Sequence, residues 1–300
     1  MIVVFSGQGS QFVGMGKDLI DKYPLTMDIF EQANNILDRD LSSIFLNGPE
    51  ELLNNTVNTQ LSIAIMSIAL FKVIEEKDPN FIKHIKLMAG HSLGEYTALH
   101  LAGVLSFRDT VLLLDARSKA MAKCSQGNMI VLLRTNIDDV SNLISHYDNC
   151  VVANDNGNGQ FVISGLQNEL DDMIQEKEKY NIKLHKKIPV SGAFHSPLMN
   201  NAAIELEEYI KNNEIKFNKN SIPLLSNYTA NLIDDHNAIP NLLIKQLTNT
   251  VRWRETMEYF NAHHTEEIKF IEIGPGKVLL NLAKRSLNNN FILLDSQSMI

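Results

Sequence analysis

Cysteine is scarce in this chain of 300 residues, with Cys124 and Cys150 making up the whole complement. Two are too few for a disulfide framework, and neither sits in a CxxC or His-paired spacing that signals zinc. The compartment that fits is a reducing, cytoplasmic one. Basic residues are outnumbered, 27 Lys and Arg against 35 Asp and Glu, which leaves a formal charge of −8. Nucleic acids and anionic membranes are bound by excess Lys and Arg, so neither is expected as a partner. Long apolar runs are missing as well. The longest, Leu61 to Leu70, falls short of the roughly 20 residues that span a bilayer, and Met1 to Phe5 reads as a strand entering a fold rather than as a leader peptide.

What is present is an ordinary folded composition, 44% hydrophobic and 21% charged, at a length near the roughly 250–300 residues where single cores stop growing. A second lobe is therefore expected. Residues 2–5 are β-branched or apolar throughout, the pattern of a strand covered on both faces. Helical spacing follows over 19–37 and 61–74, a short apolar run over 85–89 ends at Gly90, and helices are expected after Gly94 to Leu101 and over 107–123. Strand alternating with helix marks an α/β layer. After Gly127 the order changes to strand 129–133, helix 137–147, strands 150–154 and 161–164, helix 169–180 and strand 182–190. That is βαββαβ, the ferredoxin-like motif. From Ser191 long helices return, followed by a strand over 269–273, Gly274-Pro275-Gly276, and a last helix and strand. Residues 126–190 are thus expected to form a small lobe interrupting a larger α/β domain of residues 1–125 and 191–300.

Gly90-His91-Ser92-Leu93-Gly94 stands between an apolar strand and a helix. A GxSxG sequence placed there can hold a serine hydroxyl clear of the sheet as a nucleophile elbow. Chance alone supplies GxSxG in roughly one chain of this length in ten, so the strand-turn-helix setting carries the assignment. A nucleophilic serine needs a base. His195, in Gly192-Ala-Phe-His195-Ser-Pro197, has an apolar context and precedes a proline that can open a helix. His91 adjoins the serine but diverges from it at a sharp turn, and reads as packing. The remaining seven histidines have polar or helical settings that suit solvated or capping roles. Arg117 lies in a strongly apolar helix, where a guanidinium needs an anion. That anion is either Asp115 or another internal carboxylate, or the carboxylate of a substrate.

These motifs, read in order, form a set: Gly7-Gln8-Gly9-Ser10-Gln11, Gly90-His-Ser92-Leu-Gly94-Glu95-Tyr, Arg117, Ala153-Asn154 before Gln160-Phe-Val-Ile-Ser-Gly165, Gly192-Ala-Phe194-His195-Ser, Gln246-Leu followed by Val251-Arg-Trp253, and Glu272-Ile-Gly-Pro-Gly276. Together they resemble the malonyl-CoA:acyl-carrier-protein transacylases along the full chain. The resemblance implies an α/β-hydrolase-like large domain with an inserted ferredoxin-like subdomain. It also implies transfer of a malonyl group from malonyl-CoA to acyl carrier protein through a malonyl-serine, with no metal or separate cofactor.

By the same resemblance Ser92 is the nucleophile, His195 the base and Arg117 the anchor for the malonyl carboxylate. The main-chain amides of Gln8 and Leu93 form the oxyanion hole, and the main-chain carbonyl of Gln246 orients His195 in place of a triad acid. Asn154 lies near the acyl pocket, and Phe194 goes with malonyl rather than methylmalonyl selection. Ser6, Thr250 and the turn 155–159 depart from the family by lacking a proline usual there, and none of these departures removes a reacting group. Two rival readings stand beside this one: a scaffold that docks carrier protein without turnover, against which intact Ser92, His195 and Arg117 argue, and a serine hydrolase, for which no triad acid is evident in the order Ser-Asp-His. The patatin-like variant needs an Asp-Gly pair that the chain does not contain. Because acyl carrier proteins are acidic, docking on a chain of net charge −8 calls for a local basic patch. Lys183, Lys186, Lys187, Lys284 and Arg285 are the candidates.

Overall fold

A computed structural model describes residues 1–190 and 192–300. Its strands are β1 (Ile2–Phe5), β2 (Leu87–Gly90), β3 (Asn128–Leu133), β4 (Val151–Asp155), β5 (Gln160–Gly165), β6 (Leu184–Lys187), β7 (Ile268–Ile273) and β8 (Phe291–Asp295). They form two sheets, β2-β1-β7-β8 and β4-β5-β3-β6.

The first sheet is parallel throughout, with Phe5 level with Gly90 on one side and Ile273 on the other. Its strands alternate faces. Val3 and Phe5 join the core beneath the helix Thr56–Lys77, while Ile2 and Val4 pack with Trp253, Phe260 and Leu279 on the opposite side. Both faces are covered, as a parallel sheet requires, and this is what an unbroken apolar strand sequence encodes.

The second sheet is antiparallel. Along the chain its parts run β3, helix Ile137–Ile144, β4, β5, helix Gln167–Glu176, β6, which is the ferredoxin-like order anticipated from the pattern after Gly127. It has its own small core, where Ile130, Leu132, Phe161 and Ile163 meet Val140, Leu143, Leu170 and Met173 from the two helices.

Several expectations need correction. The helical pattern over 19–37 is two helices, Lys17–Ile20 and Pro24–Leu37. Proline cannot donate a backbone bond and disfavours helical geometry in the residue before it, so Tyr23 is extended at φ −134°. The apolar run 61–70 is the middle of a 22-residue helix whose N-terminus is capped by the Asn55 side chain. That helix is long and apolar enough to cross a bilayer, contrary to the reading of the run alone, but 89% of its apolar window is buried inside the fold. Helices Leu41–Asn47 and Glu50–Asn54 lie where no element was assigned. The last strand of the small lobe covers four residues rather than 182–190, because it is an exposed edge paired, among the described residues, only with β3 and Pro189 has no N–H to continue a ladder. Ser191, at the expected lobe boundary, lies outside the described residues.

Two of the positions lacking a family proline are held by hydrogen bonds instead. Ser6 Oγ donates to the buried Glu272 carboxylate at 2.7 Å, and Thr250 Oγ1 donates to the Val152 carbonyl at 2.6 Å. In the turn 155–159, Asp155 accepts from the Gly157 amide at 3.2 Å and from Arg254 Nε at 2.7 Å.

Candidate active site

Strand β2 ends at Gly90, and after three intervening residues the helix Gly94–Leu101 begins. So tight a reversal fixes both glycines. A Cβ on Gly90 stands 2.0 Å from the Gly94 carbonyl carbon, and one on Gly94 stands 2.3 Å from Phe5 O. Between them Ser92 sits at φ 54°, in the left-handed region that non-glycine residues rarely adopt. The elbow is braced from a distant segment. Asn227 Oδ1 accepts from the Ser92 amide at 2.6 Å, and Asn227 Nδ2 donates to Gly90 O at 2.5 Å.

The Ser92 hydroxyl points at His195, with Oγ 2.8 Å from Nε2. On the other side of the ring Nδ1 lies 2.8 Å from the main-chain oxygen of Gln246. A carbonyl can only accept, so Nδ1 carries the proton and Nε2 is left to accept from Ser92. Burial, with help from the Arg117 charge, pushes the imidazole pKa down to about 3, against the bond that Nδ1–H donates to Gln246 O. The ring is therefore neutral at pH 7 and free to take a proton. His195 too has positive φ, 56°, and the following Ser196 caps the turn Pro197–Met199 that leads into the helix Asn200–Asn212. Both members of the pair thus stand on strained backbone held by their surroundings.

Arg117 is 1% exposed on the inner face of the helix Phe107–Lys123. Its guanidinium donates to Gln60 Oε1, to Gln246 Oε1 at 2.9 Å and to Ser92 Oγ at 3.2 Å, with the Tyr96 ring 5.3 Å from Cζ. Its Nε meets no acceptor among the described residues. The internal ion pair weighed for Arg117 does not form with Asp115, which instead pairs with Arg39 at 3.3 Å and Lys119 at 2.6 Å. Among the described residues no carboxylate lies at salt-bridge distance from Arg117, so a buried cation faces the nucleophile with donor capacity to spare.

A cavity of about 140 Å³ opens over this group, lined by Gln8, His91, Ser92, Leu93, Arg117, Met121, Met129, Asn154, Val190, Phe194 and His195. Among the described residues neither the Gln8 nor the Leu93 amide is engaged by a protein acceptor, which leaves both able to donate to an oxygen at Ser92. Asn154 comes from an irregular step in β4, and its side-chain oxygen is buried without a partner among the described residues. His91 packs edge-on to Trp253 and binds Asn156 Oδ1 at 3.0 Å. A second cavity of about 480 Å³ shares Gln8, His91 and Asn154 with the first and runs outward past Gln160, Lys186, Lys187 and Leu282. Of the five basic candidates, Lys186 and Lys187 line it; Lys183, Lys284 and Arg285 do not. A wider groove of about 530 Å³ near Lys72, Glu75 and Phe107 contains no member of the Ser92 group.

An acyl transferase domain model matches residues 2–296. The chain belongs to the acyl transferase family. A malonyl CoA-acyl carrier protein transacylase of Bacillus subtilis is 36% identical over 291 residues, which cover 94% of this chain and 89% of that protein. The crystal structure of an acyl-carrier-protein S-malonyltransferase from Bartonella henselae superposes with a TM-score of 0.92 at 36% identity, covering 98% of this chain and 94% of the other. A malonyl-transacylase in complex with a type II PKS acyl-carrier protein matches with a TM-score of 0.91 at 33% identity, over 98% and 94% of the two chains.

Of the residues singled out from sequence, this acyl transferase brings all eight to one place: Ser92, His195, Arg117, Phe194, Asn154, Gln8 and Leu93 line the cavity, and Gln246 stands directly behind His195. Four further residues of the site had no role assigned from sequence. Gln60 lies at the polar start of an otherwise apolar helix yet is 1% exposed, a buried polar group that called for a partner. Glu95 reads as an ordinary acid in the first turn of a helix, which hid its burial. Asn156 and Asn227 sit in turns, where asparagine is common, and nothing local marks them.

Proposed function

We propose that this acyl transferase moves a malonyl group from malonyl-CoA to the phosphopantetheine thiol of acyl carrier protein, supplying fatty acid synthesis in the cytoplasm. The observation that carries the reading is Arg117. A buried guanidinium 3.2 Å from the nucleophile hydroxyl, without a carboxylate partner of its own among the described residues, suits an acyl group that brings a carboxylate with it.

The chemistry follows from the geometry. Ser92 Oγ gives its proton to His195 Nε2 and attacks the thioester carbonyl, whose oxygen gathers charge between the Gln8 and Leu93 amides. As the carbonyl re-forms, the carbon–sulfur bond breaks, and coenzyme A leaves with the proton from Nε2. The thiol of the carrier protein then gives its proton to His195 and attacks the serine ester, and Ser92 recovers its hydrogen. Throughout, Gln246 O holds Nδ1–H, so that Nε2 always faces the reacting oxygen, the role that a carboxylate plays in a triad. A thioester is already an activated acyl donor, and on this reading no metal or separate cofactor takes part. Asn154 and Phe194 line the cavity, and on this reading the bulk of Phe194 is what leaves no room for a methyl branch on the acyl group.

Intact-protein mass after mixing with malonyl-CoA tests the scheme. The malonyl adduct is expected on the native chain, discharged by holo carrier protein far faster than by water, and missing from Ser92→Ala. A full adduct on that variant would place the nucleophile elsewhere, and rapid discharge by water would favour a hydrolase.

A further inference from the structure

Arg117 lacks a direct counter-ion, yet a buried carboxylate stands close by. Glu95, 3% exposed, lies one turn beyond the nucleophile on the helix Gly94–Leu101. A single side-chain amide separates the two charges. Gln246 Oε1 accepts from Arg117 at 2.9 Å, while Gln246 Nε2 donates to Glu95 Oε2 at 2.5 Å and to the Ser92 carbonyl at 3.0 Å. The partners force that orientation, since a guanidinium can only donate and a carboxylate and a carbonyl can only accept. The amide therefore works as a spacer of fixed polarity.

Its placement resolves a conflict. A guanidinium in a dry site with no negative charge near it is expensive to keep. A carboxylate bonded directly to it would fill the donors needed by an acyl carboxylate. We propose that Glu95 and the Gln246 side chain set the acyl specificity of this site: Glu95 is a counter-ion held one amide away from Arg117, close enough to sustain its charge and too far to occupy it. The proposal rests on the malonyl-transfer reading above. Glu95 is itself held in place, because both its oxygens face the Asn227 amide at 3.4 Å, and the Asn227 side chain grips the elbow. Burial raises the Glu95 carboxyl to about 7, with the Gln246 bond and the Arg117 charge acting the other way, the balance expected of an acid kept partly ionised by a cation it does not touch. Nearest to Arg117 in this cluster are Gln60, Gln246, Ser92 and Tyr96, all neutral, so Glu95 is the charge that answers it.

Exchanging the two side chains, Glu95→Gln with Gln246→Glu, keeps the net charge and moves the carboxylate onto Arg117, at the loss of the donor to the Ser92 carbonyl, which burdens both acyl donors alike. The readout is the ratio of kcat/KM for malonyl-CoA to that for acetyl-CoA, with thermal melting as the check on folding. The exchange should lower the ratio at least about ten-fold, because the acyl carboxylate then competes with an internal one. Glu95→Gln alone retains an oxygen for the Gln246 amide and removes the compensating charge, so the ratio should rise. An unchanged ratio in a folded exchange variant, including equal losses with both donors, overturns the proposal and leaves the pair as packing. Should the exchange variant not fold, Glu95→Gln decides by itself: a higher ratio supports the proposal, and an equal or lower one overturns it. A native enzyme with no preference for malonyl-CoA removes the malonyl-transfer reading, and the proposal with it, before any variant is compared.

Discussion

The two sheets treat their strand ends in opposite ways. In the parallel sheet every residue of β1 and β2 is buried, and β2 delivers Ser92 into a turn so tight that a side chain at either flanking glycine would strike backbone. In the antiparallel sheet every residue of β6 is exposed, and the chain beyond it drifts along the mouth of the site. The contrast assigns the two halves of the task to different kinds of structure. Bond making needs atoms held to a few tenths of an ångström, and only a covered sheet with no freedom left can hold them so. Meeting a large partner needs an accessible edge with charge on it, and precise packing there adds little.

The sharpest way to break this contrast is at the elbow. Gly90→Ala sets a methyl group 2.0 Å from the Gly94 backbone, and overpacking against backbone should cost upward of about 3 kcal/mol. Chemical denaturation of the variant measures it, and a loss below 1 kcal/mol, on the order expected at an ordinary surface position, would mean that the turn is softer than its contacts imply. Next in size is the anchor. Arg117→Ala removes hydrogen bonds to a charged group, about 1.5–3 kcal/mol, so malonyl transfer should fall by roughly ten- to a hundred-fold more than acetyl transfer. Equal losses with the two donors would make Arg117 a packing residue. Smaller again is the wall of the cavity. Phe194→Ser should raise the methylmalonyl-to-malonyl ratio of kcat/KM, by tens of fold at most, because a pocket discriminates a single methyl group by only about 1–3 kcal/mol; if the ratio stays put, selection is made by another wall. The mildest change belongs to the exposed edge. Charge reversal at Lys186 and Lys187 should raise KM for carrier protein by several-fold, roughly the worth of screened surface pairs, and leave acylation by malonyl-CoA as it was. Lys187 already spends part of its charge on Asp171 at 3.4 Å, so Lys186 should carry the larger share.

What could be read from the sequence divides along the same line. Gly90 to Gly94 announces itself because strand, turn and helix are consecutive, and the physical demand for glycine at both ends is local. The order of elements in the small lobe was legible for the same reason. The partners of the elbow were not. Asn227 reaches Ser92 across 135 residues of chain and Gln246 reaches Glu95 across 151, and no periodicity or spacing records such meetings. Gln246 itself entered through its carbonyl, on a family likeness, whereas its amide proves to link Arg117, Glu95 and the Ser92 carbonyl. The break at Pro24 is different in kind, because the signal for it is local: the proline interrupts an apolar spacing that by itself runs on from 19 to 37.

The hydrogen bond from Ser164 Oγ to the main-chain oxygen of Phe194, 2.5 Å long, bears on how this enzyme can be rebuilt. Ser164 belongs to the small lobe, and Phe194 immediately precedes the base. A second seam joins the lobe to the segment after Gln246, where Asn154 bridges Val251, the Val251 amide donates to Ala153 O at 2.8 Å and the Asp155 amide donates in return to Val251 O at 3.0 Å. The inserted lobe is accordingly no interchangeable cartridge. A recombinant that grafts residues 126–190 from a relative, hoping to import another partner preference, cuts through both seams and shifts the imidazole along with the graft. Crossover points that carry 126–196 and 246–254 together leave each seam with its native mates.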